Sequence, residues 1–200
     1  MTYPVHTITR VEQLEKCELF RIDRYQWSKG DRPAAFGRMG LLKDFGLILS
    51  MTAMERNPLR IFTRDDDPVF RDSGLEAFFN FAPDAPGQKY LNFEMNANGA
   101  MLSGFGSAAD RRPIAGYTSL RAFCEAEIEE SSWKVTLKLP MELIRCFYQI
   151  GSLQQGDSFT CNFYKICEAP GFEHYASYAP IISAVPNFHL PEFFCKAMII

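Results

Sequence analysis

Histidines, long apolar runs and clustered basic residues are scarce in this 200-residue sequence, and each scarcity argues against a class of protein. Only three histidines occur and no two cysteines form a Cys-x-x-Cys pair, so a zinc site is not expected. No apolar run approaches the ~18 residues of a membrane-spanning helix. The 21 basic and 24 acidic residues are interleaved without a basic stripe. We therefore expect neither a membrane nor a nucleic acid as a partner.

Targeting signals and common enzyme motifs are also absent. The N-terminal residues show no basic stretch followed by an apolar one, so no secretory signal is visible and we expect a cytoplasmic protein.

Most of the six cysteines lie in apolar runs, which favours buried free thiols; we expect Cys161 and Cys195 to be reduced and buried. No Gly-x-Ser-x-Gly elbow occurs, and the Gly104–Gly106 segment lacks the third glycine of a dinucleotide loop.

Alternation of apolar and polar residues dominates what is present. Aromatic residues make up 14% of the chain, with 18 Phe, and five segments alternate with the period of half-buried β-strands. The positions predicted to face inward are Leu47, Leu49, Met51 and Ala53; Leu75, Ala77, Phe79 and Phe81; Leu91, Phe93, Met95 and Ala97; Trp133, Val135, Leu137 and Leu139; and Phe159, Cys161 and Phe163. Trp27 is also expected in the core. Turn residues rich in Gly, Pro, Asp and Asn separate the segments.

The remaining segments complete the predicted architecture. One helix is predicted over residues 141–148, with Pro140 at its start and Gly151 past its end. Residues 57–74 and 167–192 show no period and are predicted to be long ordered loops, which often have functional roles on a β scaffold. Together these patterns predict one all-β domain over residues 1–200. Its fold class is a two-sheet antiparallel β-sandwich of about ten strands with one short helix.

Acidic residues concentrate at one loop, where they suggest a cation site. Asp65 and Asp67 belong to a run of three aspartates, and Asp72 follows shortly after. Converging carboxylates are the ligands that calcium prefers, so structural calcium is one interpretation of this loop. The run lacks the spaced pattern and distal Glu of a calcium-binding loop, so a solvated acidic loop or a capping aspartate is the other interpretation.

Polar residues on the predicted outward face of two neighbouring strands suggest a ligand. Glu76, Asn92 and Glu94, with Asn80 and Asn96, offer fixed hydrogen-bond donors and acceptors that match sugar hydroxyls. A satisfied polar network under a loop is the alternative. The pair Glu76 and Glu94 could also perform the acid–base chemistry of a glycosidase.

The loop over residues 185–194 combines rigid prolines with aromatic rings just before the last predicted strand. Phe188 is predicted to stack on the apolar face of a sugar ring, with His189 beside it. The alternative is a hydrophobic plug that closes the end of the sandwich.

The order of these motifs resembles that of family 9 carbohydrate-binding modules and their relatives in the DOMON-like superfamily. Segment 67–79, with its Asp72-Ser73 step and following Glu76, is similar to one strand of that family. Segments 90–99, 133–140, 162–165 and 186–194 resemble further family elements in the same order, so the resemblance covers essentially the whole chain.

This resemblance implies an immunoglobulin-like β-sandwich that binds plant oligo- or polysaccharides, often at the chain end, as an accessory to xylanases or related glycoside hydrolases. Several family members also contain structural calcium. The positions of two sugar-stacking Trp residues fall on Val69 or Phe70 and on Phe188, and Glu94 stands where a basic sugar contact is usual. The primary hypothesis is therefore non-catalytic sugar binding by Glu76, Asn92, Glu94, Phe70, Phe188 and His189. The alternative is a carbohydrate-active enzyme or enzyme subunit using the two glutamates.

Overall fold

The computed structural model describes residues 1–28 and 30–200. This part of the chain contains fourteen β-strands, one α-helix and four short 3-10 turns. The strands are β1 (Thr2–Ile8), β2 (Leu19–Ile22), β3 (Arg24–Gln26), β4 (Ala35–Leu42), β5 (Gly46–Ala53), β6 (Gly74–Asn80), β7 (Tyr90–Asn96), β8 (Met101–Gly106), β9 (Arg111–Pro113), β10 (Phe123–Ile128), β11 (Trp133–Pro140), β12 (Ser158–Cys167), β13 (His174–Ser177) and β14 (Cys195–Ile199). The helix is α1 (Met141–Tyr148), and the 3-10 turns are Val11–Lys16, Val69–Arg71, Ile114–Gly116 and Pro191–Phe193. No helix in the described ranges is long and apolar enough to cross a membrane.

The strands form one curled mixed sheet rather than two separate antiparallel ones. Its order is β10-β11-β5-β4-β1-β14-β12-β6-β7-β8-β9, with β2 paired to β4 and β13 paired to both β12 and β3. The beginning of β1 runs parallel to β14 and its end runs parallel to β4, so β1 joins the two halves. The predicted all-β class with one short helix is confirmed. The prediction of two purely antiparallel sheets is not confirmed. The alternation of residues within a strand does not reveal which other strands it pairs with.

Both halves of the sheet contribute to one apolar core. All nineteen residues predicted to face inward from the five alternating segments lie in this core. Trp133 is fully buried, and Phe163 stacks on Phe20 with ring centroids 4.1 Å apart. The strict period of two places one face of each strand against the opposite half of the sheet, which is why the pattern identified these positions. Trp27 departs from its prediction, since it is half-buried beside a different aromatic cluster.

The helix and loop predictions are confirmed with two corrections. α1 begins directly after Pro140 as expected, but Gln149 adopts the left-handed conformation (φ 51°), so the helix ends before Gly151. The predicted loop over residues 167–192 contains β13, which pairs with β12 and β3. A four-residue strand is too short for its alternation to be recognised in sequence.

The polar face of β6 and β7 is covered, which corrects the prediction that it faces outward. Glu76, Asn92 and Glu94 are 2%, 0% and 4% exposed. A second cluster of aromatic and aliphatic side chains, which we call the outer cluster, covers this face. Its buried members are Phe78, Tyr90, Tyr164, Ile166, Ile181, Phe188 and Phe194. The segment over residues 181–194 therefore forms a second layer over the sheet.

A buried charged network lies on the core side of β12. The Lys165 side chain is fully buried, and its Nζ donates to Ser73 Oγ (2.6 Å) and to His174 Nε2 (2.7 Å). Glu55 Oε2 lies 3.5 Å from the same Nζ and accepts hydrogen bonds from Ser73 Oγ and from Trp133 Nε1 (3.0 Å). Burial lowers the pKa of His174 to about 4, so its ring is neutral and Nε2 can accept the hydrogen bond from Lys165. The network fixes β12 against β11 and the residues after β5.

The cysteines lead to the first testable prediction. Cys161 and Cys195 face each other on β12 and β14, and both are buried free thiols, as predicted. Cys146 on α1 is exposed. We expect a bulky thiol reagent to label Cys146 rapidly in the native protein and Cys161 and Cys195 only after unfolding, because a buried thiol is inaccessible. Mass mapping of the labelled peptides measures this, and rapid native labelling of Cys161 would contradict it.

Candidate functional site

A cavity of about 300 Å³ lies on the outer side of β6 and β7, between the sheet and the second layer. Its floor contains the buried carboxyl groups of Glu76 and Glu94, and Glu168 is exposed at its edge. The remaining lining residues are Phe70, Leu102, Arg111, Ile166, Tyr175, Pro186, Asn187, Phe188 and His189.

Glu76 and Glu94 form a pair of adjacent carboxyl groups. They are direct cross-strand partners on β6 and β7, so their side chains leave the sheet side by side. Glu94 Oε1 accepts a hydrogen bond from Asn92 Nδ2 (3.0 Å), whereas the Glu76 carboxyl has no hydrogen-bond partner among the described residues. No described cation forms an ion pair with either group. The residue is 2% exposed, but its carboxyl oxygens are not fully shielded, and a carboxyl that lacks a protein partner and opens into a cavity is available to bind a ligand.

The pKa values of this pair are raised because both groups are desolvated. Burial, followed by the neighbouring Glu94, raises the pKa of Glu76 well above its usual range. Burial raises the pKa of Glu94 to about 7, although the Arg111 guanidinium and the Asn92 hydrogen bond oppose the shift. At neutral pH the pair therefore retains at least one proton, and Glu76 can both donate and accept hydrogen bonds.

Arg111 supplies the one guanidinium among the described residues that line the cavity, and it belongs to a local hydrogen-bond triangle. Its Nη1 donates to Tyr90 Oη (3.1 Å), and its Nη2 lies 3.1 Å from His189 Nε2. Burial, and then the charge of Arg111, lowers the pKa of His189 to about 3. The neutral imidazole therefore accepts from Arg111 at Nε2 and donates from Nδ1 to Tyr90 Oη (2.9 Å). This triangle fixes His189 against Phe78, with ring centroids 4.9 Å apart.

Gly104 makes room for this arrangement on β8. A Cβ atom at Gly104 would lie 2.6 Å from Asn92 Oδ1 and 3.3 Å from Cγ and Cδ of Arg111. The absence of a side chain therefore allows Arg111 to extend across β8 from β9. Sequence analysis missed Arg111, because its short strand has no alternation and the meaning of the glycine appears only once its neighbours are known.

Aromatic rings form part of the cavity wall. Phe70 and Tyr175 are half-buried, whereas Phe188 is only 5% exposed and stacks on Tyr164 with centroids 4.2 Å apart. One face of Phe188 is therefore occupied inside the protein, as expected for the hydrophobic plug. Val69 is fully buried, so Phe70 is the member of that pair that reaches the cavity. Tyr175 was not predicted, because it lies in the segment predicted to be a loop.

The structure brings most of the predicted ligand-binding residues together. Glu76, Glu94, Phe70, Phe188 and His189 line the same cavity. Asn92 does not line it; this residue lies behind Glu94 and positions its carboxyl group. Asn92 Oδ1 is the one buried side-chain polar atom of the described residues without a partner.

The three predicted calcium ligands have separate protein partners. Asp72 accepts hydrogen bonds from the backbone N–H groups of residues 61 and 62 and from Asn96 Nδ2. Asp67 accepts from Arg64, and Asp65 accepts from the backbone N–H of residue 101. No group of three or more His, Cys, Asp or Glu in the described residues is arranged to hold a metal.

Calcium binding stays a prediction, and thermal unfolding tests it. A cation that binds only the folded state raises the melting temperature by mass action. If the 65–72 loop binds calcium, we expect a higher melting temperature in millimolar calcium than in excess chelator, and a smaller difference for Asp67→Asn. Equal melting temperatures of the wild-type protein in the two solutions would contradict the prediction.

A larger cavity of about 980 Å³ lies elsewhere, between α1, the β4–β5 turn and residues 119–123. Charged side chains of both signs line it, among them Lys43, Asp44, Arg121, Glu142 and Arg145. These charged side chains are all exposed, whereas the smaller cavity has the nearly buried residues Glu76 and Glu94 on its floor, so the smaller cavity is the better candidate site.

The model of carbohydrate-binding family 9 matches residues 7–199, and the chain belongs to this family. No curated protein sequence matches the chain significantly.

Solved structures share the fold at low sequence identity. A crystal structure of a proposed carbohydrate-binding protein from Bacteroides uniformis superposes with a TM-score of 0.80 at 21% identity, covering 99% of this chain and 98% of that one. A family 9 module from Caldicellulosiruptor kristjanssonii in complex with glucose gives a TM-score of 0.72 at 11% identity and covers 100% and 95% of the two chains. A structure with cellotriose from the same organism gives the same TM-score and identity and covers 100% and 93%. These similarities show the fold alone.

Proposed function

We propose that the cavity over β6 and β7 binds the end of a plant-type oligo- or polysaccharide, such as one derived from cellulose or xylan, without cleaving it. The protein then acts as an accessory to glycoside hydrolases. The observation that supports this proposal most directly is the Glu76 carboxyl, which has no protein hydrogen-bond partner and opens into a 300 Å³ cavity, in a residue only 2% exposed. Sugar hydroxyls can donate to and accept from such a group.

The shape and lining of the cavity favour a short ligand. Its volume is at the lower end of the usual range for small-molecule sites, which suits the end of a chain better than a long internal segment. Phe70 and Tyr175 provide half-buried ring faces against which the apolar face of a pyranose can pack. The glucose and cellotriose complexes of the Caldicellulosiruptor structures support this choice of sugar class.

A second candidate function is acid–base catalysis by the glutamate pair. The observation in its favour is the pair itself, because two adjacent carboxyl groups with raised pKa values can divide the roles of acid and base. Catalysis differs from simple binding in that cleavage products of the sugar appear.

Titration calorimetry with glucose, cellobiose, cellotriose and xylobiose tests the proposal, together with chromatography of the same mixtures for cleavage products. We expect dissociation constants between micromolar and millimolar, roughly −8 to −4 kcal/mol, and no product. Glu76→Gln and Phe70→Ala should weaken binding, whereas the exposed control Glu125→Gln on β10 should not. Product formation that is lost in Glu76→Gln would support catalysis, and the absence of heat with every sugar would contradict both candidates.

A further inference from the structure

We propose that the cavity prefers a sugar with a free amine, bound as its ammonium form, over the corresponding neutral sugar. This inference rests on the proposed function, because it names the ligand class of the same site. It follows from the balance of charges around the cavity and from the missing partner of Glu76.

Acidic groups outnumber basic ones in the cavity lining. Glu76 and Glu94 lie side by side on the floor and Glu168 lies at the edge, whereas Arg111 is the one cation among the described lining residues. His189 does not add a second positive charge, because its Nε2 accepts a hydrogen bond from Arg111. The other titratable groups nearby are Arg71, whose charge acts on Glu168 at the edge, and the phenols of Tyr90, Tyr164 and Tyr175, which are neutral at physiological pH.

Arg111, the cation of the cavity lining, makes its hydrogen bonds with residues other than the two glutamates. The two terminal nitrogens of Arg111 contact Tyr90 and His189, and neither forms an ion pair with Glu76 or Glu94. The glutamate pair therefore contains acceptor atoms that no described cation contacts directly, although the charge of Arg111 acts on both carboxyl groups from a greater distance. A ligand that brings a positive charge to this position would supply the missing partner.

An ammonium group matches the geometry of the pair better than a hydroxyl. It has three donors and no acceptor, so one group can contact both adjacent carboxyls, whereas a hydroxyl has only one donor. Hydrogen bonds between ionised partners are about twice as strong as neutral ones. Glu76 is a residue only 2% exposed, and its carboxyl opens into the cavity without a protein hydrogen-bond partner, so it is free to contact such an ammonium group. An acidic sugar would be repelled by the same carboxyls.

Proton release should accompany binding of the amine. The raised pKa values mean that the empty pair retains protons near neutral pH, and an ammonium group would displace them. The preference for the amine should therefore increase as pH rises through about 7, the pKa of Glu94, for as long as the amine itself stays protonated.

Calorimetric titration of glucosamine, N-acetylglucosamine, glucose and glucuronic acid at pH 6 and pH 7.5, in buffers of different ionisation enthalpy, tests the inference. We expect glucosamine to bind roughly tenfold more tightly than glucose at pH 7.5, and we expect proton release only for the amine at pH 6, where the free amine is protonated before it binds. Glu76→Gln and Glu94→Gln should reduce this ratio towards one, and the exposed control Glu125→Gln should preserve it.

The outcomes separate the inference from the function on which it depends. If glucose binds as tightly as glucosamine, or glucuronic acid binds best, the amine preference is wrong while sugar binding stands. If no sugar produces heat, both the proposed function and the inference are contradicted.

Discussion

Replacing Glu94 by Gln is expected to stabilise the empty protein on the order of 3 kcal/mol at pH 9 and to change its stability little at pH 4. The pKa of Glu94 rises from its ordinary 4.5 to about 7 on folding, and one pKa unit corresponds to about 1.4 kcal/mol. Because the folded pKa is raised, the contribution of this group to stability is fully present below pH 4.5 and is lost as pH rises through 7. Gln avoids the buried charge and can still accept the hydrogen bond from Asn92.

Urea unfolding of wild type and Glu94→Gln at several pH values measures this effect. His174 and His189 also titrate on unfolding, but their lowered pKa values affect stability only below about pH 6.5, so they do not obscure the alkaline range. The exposed control Glu125→Gln should change stability by no more than about 0.5 kcal/mol. A Glu94→Gln variant no more stable than wild type at pH 9 would show that the carboxyl is not desolvated as described. If Glu94→Gln is more stable than wild type, the buried carboxyl that serves ligand binding also lowers the stability of the empty protein.

Replacing Glu55 by Gln is expected to destabilise the protein by about 3 kcal/mol at pH 7. Lys165 is fully buried, and Glu55 is the acidic partner in its ion pair. Removing one partner of a buried ion pair leaves the other charge without compensation, which typically costs about 3–5 kcal/mol. Gln can still accept from Trp133 Nε1, so the loss reflects charge more than shape.

A double-mutant cycle with Lys165→Met separates the ion pair from packing. Met has a similar length and no charge, so Glu55→Gln should cost much less in the Lys165→Met background than in wild type. Chemical denaturation of the four proteins gives the coupling energy, which we expect to exceed about 1 kcal/mol. Additive costs would contradict a direct Glu55–Lys165 interaction.

The sequence predicted the core well because strand alternation is a local property. Leu75, Ala77 and Phe79 face the core on β6, and Trp133 does so on β11, in the predicted phase. The parallel pairings of β1 depend on contacts at opposite ends of the chain, so no local pattern indicates them. Burial of the second face could not be predicted for a similar reason, since residues distant in sequence cover it.

In the candidate site, too, the residues with a local sequence pattern were predicted and those placed by distant contacts were not. Glu76 and Glu94 were identified because carboxyl groups at alternate positions of neighbouring strands share a face. Arg111 and Tyr175 were not identified, because each lies on a strand of three or four residues whose position depends on pairing with β8 or β12. Phe188 lines the same cavity as the two glutamates, but its stacking on Tyr164 could be seen only in the folded protein.

A crystal structure of the protein with cellotriose tests the central claim most directly. We expect a terminal sugar ring in the cavity over β6 and β7, with a hydroxyl within hydrogen-bond distance of the Glu76 carboxyl and an apolar face against Phe70 or Tyr175. A sugar bound only in the larger cavity beside α1, or one that makes no contact with Glu76, would contradict it.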